Sequence, residues 1–311
     1  MRIVILGIGA SGIIAQFVLV RELLVNFNGN EFSLGFILGS WLLAEALGAY
    51  SARHIRFSIT NYRFLIFLFG IIFPVTVGIV KIIRPITSTL PGEIFTLTKM
   101  LLVSFAMISP VSFIHGMLFT GSSEILVREL KDKHKVSGYV YSLENLGTII
   151  GGVIFSLFLL PRLSATLIAL SVSFMNTLLG VFISKENNKS KYWWAFIGCV
   201  LLGLAIGYTP KFEKWALTKN FPYYNVLGSL NTHYSNVTIV MREDQQTFYI
   251  DGMPTINIPN YDRVFIEEFV NFPLLTHNNP EKILIIGGGI GGVIKQLITC
   301  NIKEIVYVES D

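Results

Sequence analysis

The chain has 311 residues, of which 52% are hydrophobic and 14% charged, with a mean hydropathy of +0.60. Soluble domains carry about 25% charged residues, so this composition excludes an ordinary soluble protein. The net charge is +4, but Lys and Arg stand mostly in short segments between apolar runs, which favours membrane orientation over nucleic-acid binding. Cys199, Cys300 and five scattered histidines show no ligand spacing, so the sequence predicts neither a disulfide framework nor a metal site.

Six apolar runs are long enough to cross a bilayer as helices, which takes about 20 residues. They are Ile3–Val20, Phe32–Tyr50, Phe64–Val80, Met100–Thr120, Tyr139–Leu160 and Leu163–Ile183. A seventh run, Trp193–Tyr208, is shorter and begins with a tryptophan pair typical of the headgroup region. Residues 1–210 are therefore predicted to form a bundle of six or seven transmembrane helices. The first run lacks a signal-peptide cleavage site and is predicted to be retained.

The loops carry an asymmetric distribution of basic residues. With the amino terminus inside, the cytoplasmic loops at Arg53–Arg63 and Arg128–Lys135 collect more Lys and Arg than the loops on the opposite side. Positive charge accumulates on the cytoplasmic side of membrane proteins. The sequence therefore predicts a multi-pass protein of the cell inner (plasma) membrane with its amino terminus in the cytoplasm.

A short internal repeat occurs within the apolar part. The string Leu-Val-Arg-Glu-Leu stands at Leu19–Leu23 and again at Leu126–Leu130. Three predicted crossings separate the copies, which gives them opposite topology, as in inverted-repeat transporters. The alternative is chance duplication of residues that are common in membrane helices.

Two carboxylates lie inside predicted crossings and are candidate intramembrane functional residues. Glu45 falls in the second run and Glu144 in the fifth. A charged side chain at the bilayer centre costs about 3 kcal/mol or more unless it is paired or hydrated, so such residues mark functional sites. The alternative is that they pair with Arg21 or Arg128 near the helix ends and only hold the bundle together. The glycine-rich stretch Gly147–Gly152 predicts close helix packing.

From Lys211 onward the composition becomes polar, and residues 211–260 are predicted to form a small antiparallel β unit. Its strands are Val237–Met241, Thr247–Ile250 and Thr255–Ile258. Asp251-Gly252 is a hairpin signal between two of them. A helix is predicted over Tyr261–Leu275, with Pro273 expected to stop or kink it.

The last thirty residues carry a pattern typical of nucleotide or adenosyl binding. A buried strand, Lys282–Ile286, leads into a glycine loop, a helix over Val293–Thr299 and a second strand, Glu304–Val308. Glycines let backbone N–H groups approach a ligand, and an acid about 20 residues on can hold ribose hydroxyls. The alternative is a plain turn of another α/β fold. The candidate cofactor-binding residues are Gly287, Gly288, Gly289, Gly291, Gly292 and Glu309. Nucleotide-type ligands are scarce outside the cell, which favours six crossings and a cytoplasmic carboxy-terminal part.

These residues resemble the spermidine synthase (polyamine aminopropyltransferase) family, in its membrane-fused variety. The resemblance is carried by Glu267–Leu275, Asn279–Lys282, the glycine loop and Val308–Asp311, and in the apolar part by Arg21–Leu23, Leu38–Leu43 and Tyr141–Gly152. It implies that residues 261–311 begin a Rossmann-like, methyltransferase-type α/β domain. It also implies that the glycine loop binds decarboxylated S-adenosylmethionine, that Glu309 binds its ribose, and that Tyr234 and Glu268 lie in the donor and substrate pocket. The expectation that no metal takes part rests on the spacing of Cys and His residues.

The sequence departs from the family's pattern at several positions. Ile290 replaces the Asp of the glycine loop, Ser235 replaces a Gln, and of the family's Tyr-His-Glu only the glutamate, Glu268, is matched. The resemblance places the family's catalytic Asp on a later strand, beyond Asp311. We therefore expect the catalytic base to be missing, the chain to be carboxy-terminally truncated and inactive as it stands, and a homodimer or a companion chain to complete the domain.

The predicted function is a membrane-bound transferase of polyamine biosynthesis, which moves an aminopropyl group from an adenosyl donor to a small amine. One alternative is a transporter-like or scaffold protein whose helical bundle is the functional part. A dinucleotide-dependent oxidoreductase is disfavoured, because β hairpins and the Glu268 segment precede the glycine loop. The predicted partners are the lipid bilayer and the amine, with no nucleic acid.

Overall fold

The computed structural model describes residues 1–130, 133–183, 189–232, 235–259, 262–288 and 291–309. The chain divides into two compact units, Met1–Asn220 and Phe221–Asp311. The first unit is helical, whereas the second holds the strands and two further helices. Each unit is described by itself.

The helical unit contains eight α-helices in the described residues. They are α1 (Arg2–Asn26), α2 (Glu31–Ala52), α3 (Ile59–Val80), α4 (Ile83–Ile86), α5 (Leu97–Leu130), α6 (Lys133–Ile154), α7 (Ala165–Phe182) and α8 (Lys189–Asn220), with a π-helical turn, Phe155–Leu159, after α6. Polar residues cap three of the helix starts: Asn30, Ser58 and Ser164 each accept a hydrogen bond from a backbone N–H one turn on. Such caps satisfy backbone donors that have no partner within the helix.

Six of these helices are long and apolar enough to cross a membrane: α1, α2, α3, α5, α6 and α7. They coincide with the six long runs in the sequence, so the predicted helices are confirmed. The predicted boundary at residue 211 lies inside α8, which continues to Asn220. Composition marks where side chains become polar, and Lys211–Asn220 contains good helix formers that extend the helix regardless of polarity.

The long helices pack in pairs, α2 along α5, α1 along α6 and α3 along α7. Glycines lie where the paired backbones approach most closely. A Cβ atom on Gly48 would lie 2.0 Å from the Phe113 carbonyl oxygen, and one on Gly147 would lie 2.1 Å from that of Leu6. Any side chain larger than hydrogen would therefore push these helices apart, which confirms close packing as the role of Gly147.

The second unit begins with a four-stranded antiparallel sheet in the order β1 (Asn225–Asn231), β2 (Asn236–Arg242), β3 (Gln245–Ile250) and β4 (Met253–Ile258). Strands β2 to β4 agree with the prediction, and Asp251 and Gly252 adopt the positive φ angles of the predicted hairpin turn. Strand β1 is additional, and it pairs along β2.

The chain then forms α9 (Arg263–Thr276), β5 (Lys282–Ile286), α10 (Val293–Ile298) and β6 (Glu304–Val308), with β5 and β6 parallel. Of the two expected effects of Pro273, a stop or a kink, the stop is wrong, because α9 runs through Pro273 to Thr276. A proline removes one backbone donor. Pro273 stands in the last turn of α9, so only a few backbone hydrogen bonds of the helix lie beyond it.

Candidate functional site

The glycine loop joins β5 to α10 beside the carboxyl end of β6. Ile286 is in register with Val308, and the Gly287 N–H donates to the Val308 carbonyl at 2.8 Å. Gly287 and Gly288 both have φ near +73°, a conformation that side chains with a Cβ disfavour. The glycines are therefore required by the turn that leads the chain away from the strand.

The predicted acid lies next to this turn. Glu309 follows directly on β6, and its Oε1 is 3.7 Å from the position that a Cβ on Gly287 would occupy. The Tyr307 hydroxyl donates to Glu309 Oε2. The structure thus places Glu309 beside Gly287, with Gly288 next in the turn and Gly291 and Gly292 leading into α10. Gly289 and Tyr234 lie outside the described residues.

One face of the β5–β6 pair is covered. Ile266 and Val270 of α9 pack with Ile285 of β5 and with Val293 and Leu297 of α10 in a small buried cluster. Side chains alternate between the two faces of a strand, so the neighbours of Ile285 point the other way. They are exposed: in the described part of the chain, Ile286 retains 78% of its accessible surface.

Glu268 lies on α9 between Ile266 and Val270. Because those two residues are one helical turn apart and face the buried cluster, a residue midway between them points to the opposite side. Glu268 is accordingly exposed, as is Glu267. The structure therefore places Glu268 on the outward face of α9, whereas it places Glu309 at the glycine loop.

The helical unit contains a second group of polar residues, well inside the bundle. His115 of α5 contacts Glu45 of α2 through Nδ1, 2.6 Å from Glu45 Oε1, and its Nε2 lies 3.7 Å from Glu144 Oε1 of α6. The Trp41 indole N–H donates to the other oxygen of Glu45 at 2.9 Å. The two predicted intramembrane carboxylates thus lie on opposite sides of His115, with Glu45 in hydrogen-bond contact and Glu144 3.7 Å away, while Arg128 pairs with Glu124.

His115 is a candidate that the sequence analysis did not identify. Its partners stand 70 and 29 residues away, on two other helices, so no local ligand spacing exists. One possible ligand atom from each of Glu45, His115 and Glu144 lies within 4.8 Å of the others, which is close enough for a metal site. The expectation of no metal rested on spacing along the chain, which does not detect ligands that come from separate helices.

The carboxy-terminal unit matches a known family. Residues 263–311, from the start of α9 past the end of β6, match the model of the spermine/spermidine synthase domain. These residues include the glycine loop and Glu309. No solved structure matches the chain.

Several curated proteins are similar to the chain. Polyamine aminopropyltransferase 2 of Aquifex aeolicus is 22% identical over 318 aligned residues, which include all of this chain and 61% of that protein. Polyamine aminopropyltransferase 1 of Bacillus cereus is 31% identical over 108 residues, covering 32% of this chain and 39% of the relative. The chain thus spans less than two thirds of the length of either relative. The resemblance to this family is confirmed, and the chain is spermidine-synthase-like.

Proposed function

We propose that this spermidine-synthase-like chain belongs to a membrane-bound aminopropyltransferase, whose carboxy-terminal unit binds decarboxylated S-adenosylmethionine as the donor for transfer to a small amine. The observation that carries the proposal is the juxtaposition of Glu309 with Gly287 at the ends of two parallel strands. In a strand–glycine loop–helix–strand unit, an acid at this position accepts hydrogen bonds from ribose hydroxyls. The glycine loop brings backbone N–H groups close to the same ligand.

The proposal is tested by the binding of an adenosyl nucleoside. Methylthioadenosine is titrated calorimetrically into the full-length protein in detergent, with Glu309→Ala as the test variant and Glu267→Ala as its control. Hydrogen bonds to a charged acceptor contribute about 1.5–3 kcal/mol, so Glu309→Ala is expected to raise the Kd about ten- to a hundredfold.

The control variant removes an exposed carboxylate from α9, where Glu267 lies on a helix and not at the loop. Its affinity is expected to equal that of the unmodified protein. Equal affinities for Glu309→Ala and the unmodified protein would show that the loop is only a structural turn, and the donor-binding proposal would fail.

The six apolar helices support a location in the plasma membrane. The distribution of basic residues in the loops favours an amino terminus in the cytoplasm, and an even number of crossings would put the carboxy-terminal unit there too. Arg56 stands in the loop between α2 and α3, whereas Ile94 stands in the loop before α5, and both are exposed. After Cys199 and Cys300 are replaced by Ser, single cysteines at these positions are treated with an impermeant maleimide on intact cells. Ile94→Cys is expected to react and Arg56→Cys to be protected; the reverse result would invert the topology.

A transport function of the helical unit is the second candidate. It is supported by the Glu45–His115–Glu144 group, because ionisable residues inside a helical bundle mark ion and substrate pathways. The two candidates are compatible, since they use different units of the chain.

A further inference from the structure

Helices α1 and α5 share a sequence repeat, and each contacts its partner helix through a glycine at the same position of the repeat. The two Leu-Val-Arg-Glu-Leu strings, one in α1 and one in α5, stand 107 positions apart, and so do Gly9 and Gly116. A Cβ on Gly9 would lie 2.2 Å from the carbonyl oxygen of Glu144 in α6. A Cβ on Gly116 would lie 2.0 Å from the carbonyl oxygen of Glu45 in α2. Helices α1 and α6 therefore meet as α5 and α2 do.

The partner helices repeat as well. Glu45-Ala46-Leu47-Gly48 in α2 and Glu144-Asn145-Leu146-Gly147 in α6 share the pattern Glu-x-Leu-Gly at a spacing of 99 positions. The repeat predicted from five residues thus extends to four helices and to both close glycine contacts. Glu45 and Glu144 occupy equivalent positions in the two halves, and this agrees with the inverted-repeat architecture of many transporters.

His115 lies between these equivalent carboxylates, and its contact with Glu45 determines which ring nitrogen carries the hydrogen. A carboxylate accepts hydrogen bonds, so the 2.6 Å contact with Glu45 requires that Nδ1 carries the hydrogen and donates it. The Trp41 indole holds the second oxygen of the same carboxylate. Oriented in this way, a neutral imidazole presents a lone pair at Nε2, as in the carboxylate–histidine–metal arrangement of metalloproteins.

The Nε2 atom faces Glu144 across a gap. The His115 side chain is 8% exposed, and Nε2 makes no hydrogen bond of ordinary length and angle within the described residues. Besides Glu144, only the α1 backbone near Ile8 and Gly12 approaches this nitrogen in the contacts described. Glu144 Oε1 stands 3.7 Å away, too far for a hydrogen bond. Two electron-rich atoms facing each other in a buried site call for a cation between them. Metal–nitrogen and metal–oxygen bonds of about 2.0–2.2 Å span this distance when the ion lies to one side of the line that joins the two atoms.

The charge of the group matches a divalent ion. With His115 neutral, the partly buried side chains of Glu45 and Glu144, which are 28% and 16% exposed, together carry two negative charges within helices of an apolar bundle. Two other acids of the same unit have bases of their own: Glu22 pairs with Lys81, and Glu124 pairs with Arg128. An unbalanced buried charge is costly, and a divalent ion balances this pair.

From this geometry we infer that the helical unit binds one divalent transition-metal ion where its two repeats meet. His115 Nε2 and the Glu144 carboxylate are its ligands, and Glu45 is the residue that orients the imidazole. An imidazole ligand favours ions such as Zn²⁺ over Mg²⁺ and Ca²⁺, and a carboxylate ligand also suits Mn²⁺. Ion sites of inverted-repeat transporters lie at this junction, so the inference extends the chain's activity beyond the donor site.

The inference is tested on the full-length protein in detergent, stripped with a chelator and then dialysed against Zn²⁺ or Mn²⁺. Bound metal is measured by mass spectrometry, with about one ion per chain expected from the single site. Glu144→Gln and His115→Gln remove a ligand and are expected to lower the retained metal at least tenfold. Glu45→Gln removes the orienting carboxylate and is expected to weaken binding about ten- to a hundredfold.

Glu124→Gln is the matched control, because it removes a glutamate from the same bundle that has its own arginine partner. It is expected to leave metal binding unchanged, and thermal melting of every variant checks that the bundle is folded. The visible spectrum of Co²⁺, bound in place of Zn²⁺, should change in His115→Gln because a nitrogen ligand is lost. The inference fails if the unmodified protein retains none of these metals, which would leave a proton in the gap. It also fails if Glu144→Gln binds metal unchanged.

Discussion

Glycine serves two different physical purposes in the two units of this chain. In the helical unit, Gly48 and Gly116 allow two helix backbones to meet at distances that no side chain would permit. In the carboxy-terminal unit, Gly287 and Gly288 have open space or ordinary contacts around them, but their backbone adopts a positive φ. Gly48 and Gly116 are required because the neighbouring helix leaves no space for a side chain. Gly287 and Gly288 are required because their own backbone has a positive φ.

The two units also differ in the residues that they expose. Helix α2 exposes leucines along its middle, such as Leu42 and Leu43, whereas α9 mixes exposed apolar residues with the exposed glutamates Glu267 and Glu268. A helix that exposes an almost wholly apolar surface is suited to lipid. An exposed side chain in the helical unit is therefore expected to face lipid, whereas one in the carboxy-terminal unit is expected to face water. The same substitution at equally exposed positions should have different effects in the two units.

The largest expected effect comes from introducing a charge at equally exposed positions. Leu42 is 65% exposed at the middle of α2, and Val264 is 66% exposed on α9. Leu42→Arg is expected to disfavour membrane insertion of α2 by about 3 kcal/mol, the cost of Arg at the centre of a spanning helix. Val264→Arg should change stability by less than about 0.5 kcal/mol. Glycosylation-based insertion assays and denaturation measure the two; equal tolerance of Arg would contradict the membrane assignment.

A smaller effect is expected from adding one methyl group at a helix contact. Gly116→Ala would place a Cβ 2.0 Å from the Glu45 carbonyl oxygen and force α2 and α5 apart. Such overpacking costs about 2 kcal/mol. Gly39→Ala on α2 is the control, because a Cβ there meets nothing within 4 Å. Unfolding in denaturing detergent should show loss of stability for the first variant and a slight gain for the second. Equal stability of the two would mean that the helices do not pack as described.

The smallest effect belongs to the glycine loop, where only the backbone is strained. Gly287→Ala places a Cβ in ordinary contact with Glu309 but keeps a left-handed φ, which costs about 1 kcal/mol. Gly291→Ala, in the same loop but outside that conformation, is the control. Hydrogen exchange of the β5 and β6 amides should be about fivefold faster in Gly287→Ala than in the control. Equal rates would mean that the loop does not require glycine at this position.

The elements that the sequence predicted are those with a local pattern, such as a long apolar run, alternating apolar residues or a turn signal. The six apolar helices, strands β2 to β6 and the hairpin at Asp251 agree with the structure because each has a local pattern. Strand β1 has none: Asn225–Asn231 has Gly228 at its centre and no alternation of apolar residues, and it is held by its pairing with β2. Elements that depend on a partner are not visible in their own sequence.

The same distinction applies to the two candidate sites. The glycine loop and Glu309 lie within 23 residues of one another, so their meeting follows from one strand–helix–strand unit. The Glu45–His115–Glu144 group depends on which helices pack together and on how each is rotated. Hydrophobic length does not determine either property. His115 therefore became visible only once the α2–α5 and α1–α6 pairs were known.

The glycine contacts also determine which distances in the bundle can change. Helices α2 and α5 are held backbone against backbone, and so are α1 and α6, so we expect each pair to move as one body. The hydrogen bond between Glu45 and His115 lies within the first body, whereas the gap between His115 and Glu144 lies between the two. Rocking of one pair against the other would widen or close that gap and leave the hydrogen bond unchanged. An ion bound in the gap would therefore connect the two helix pairs and restrict their relative movement.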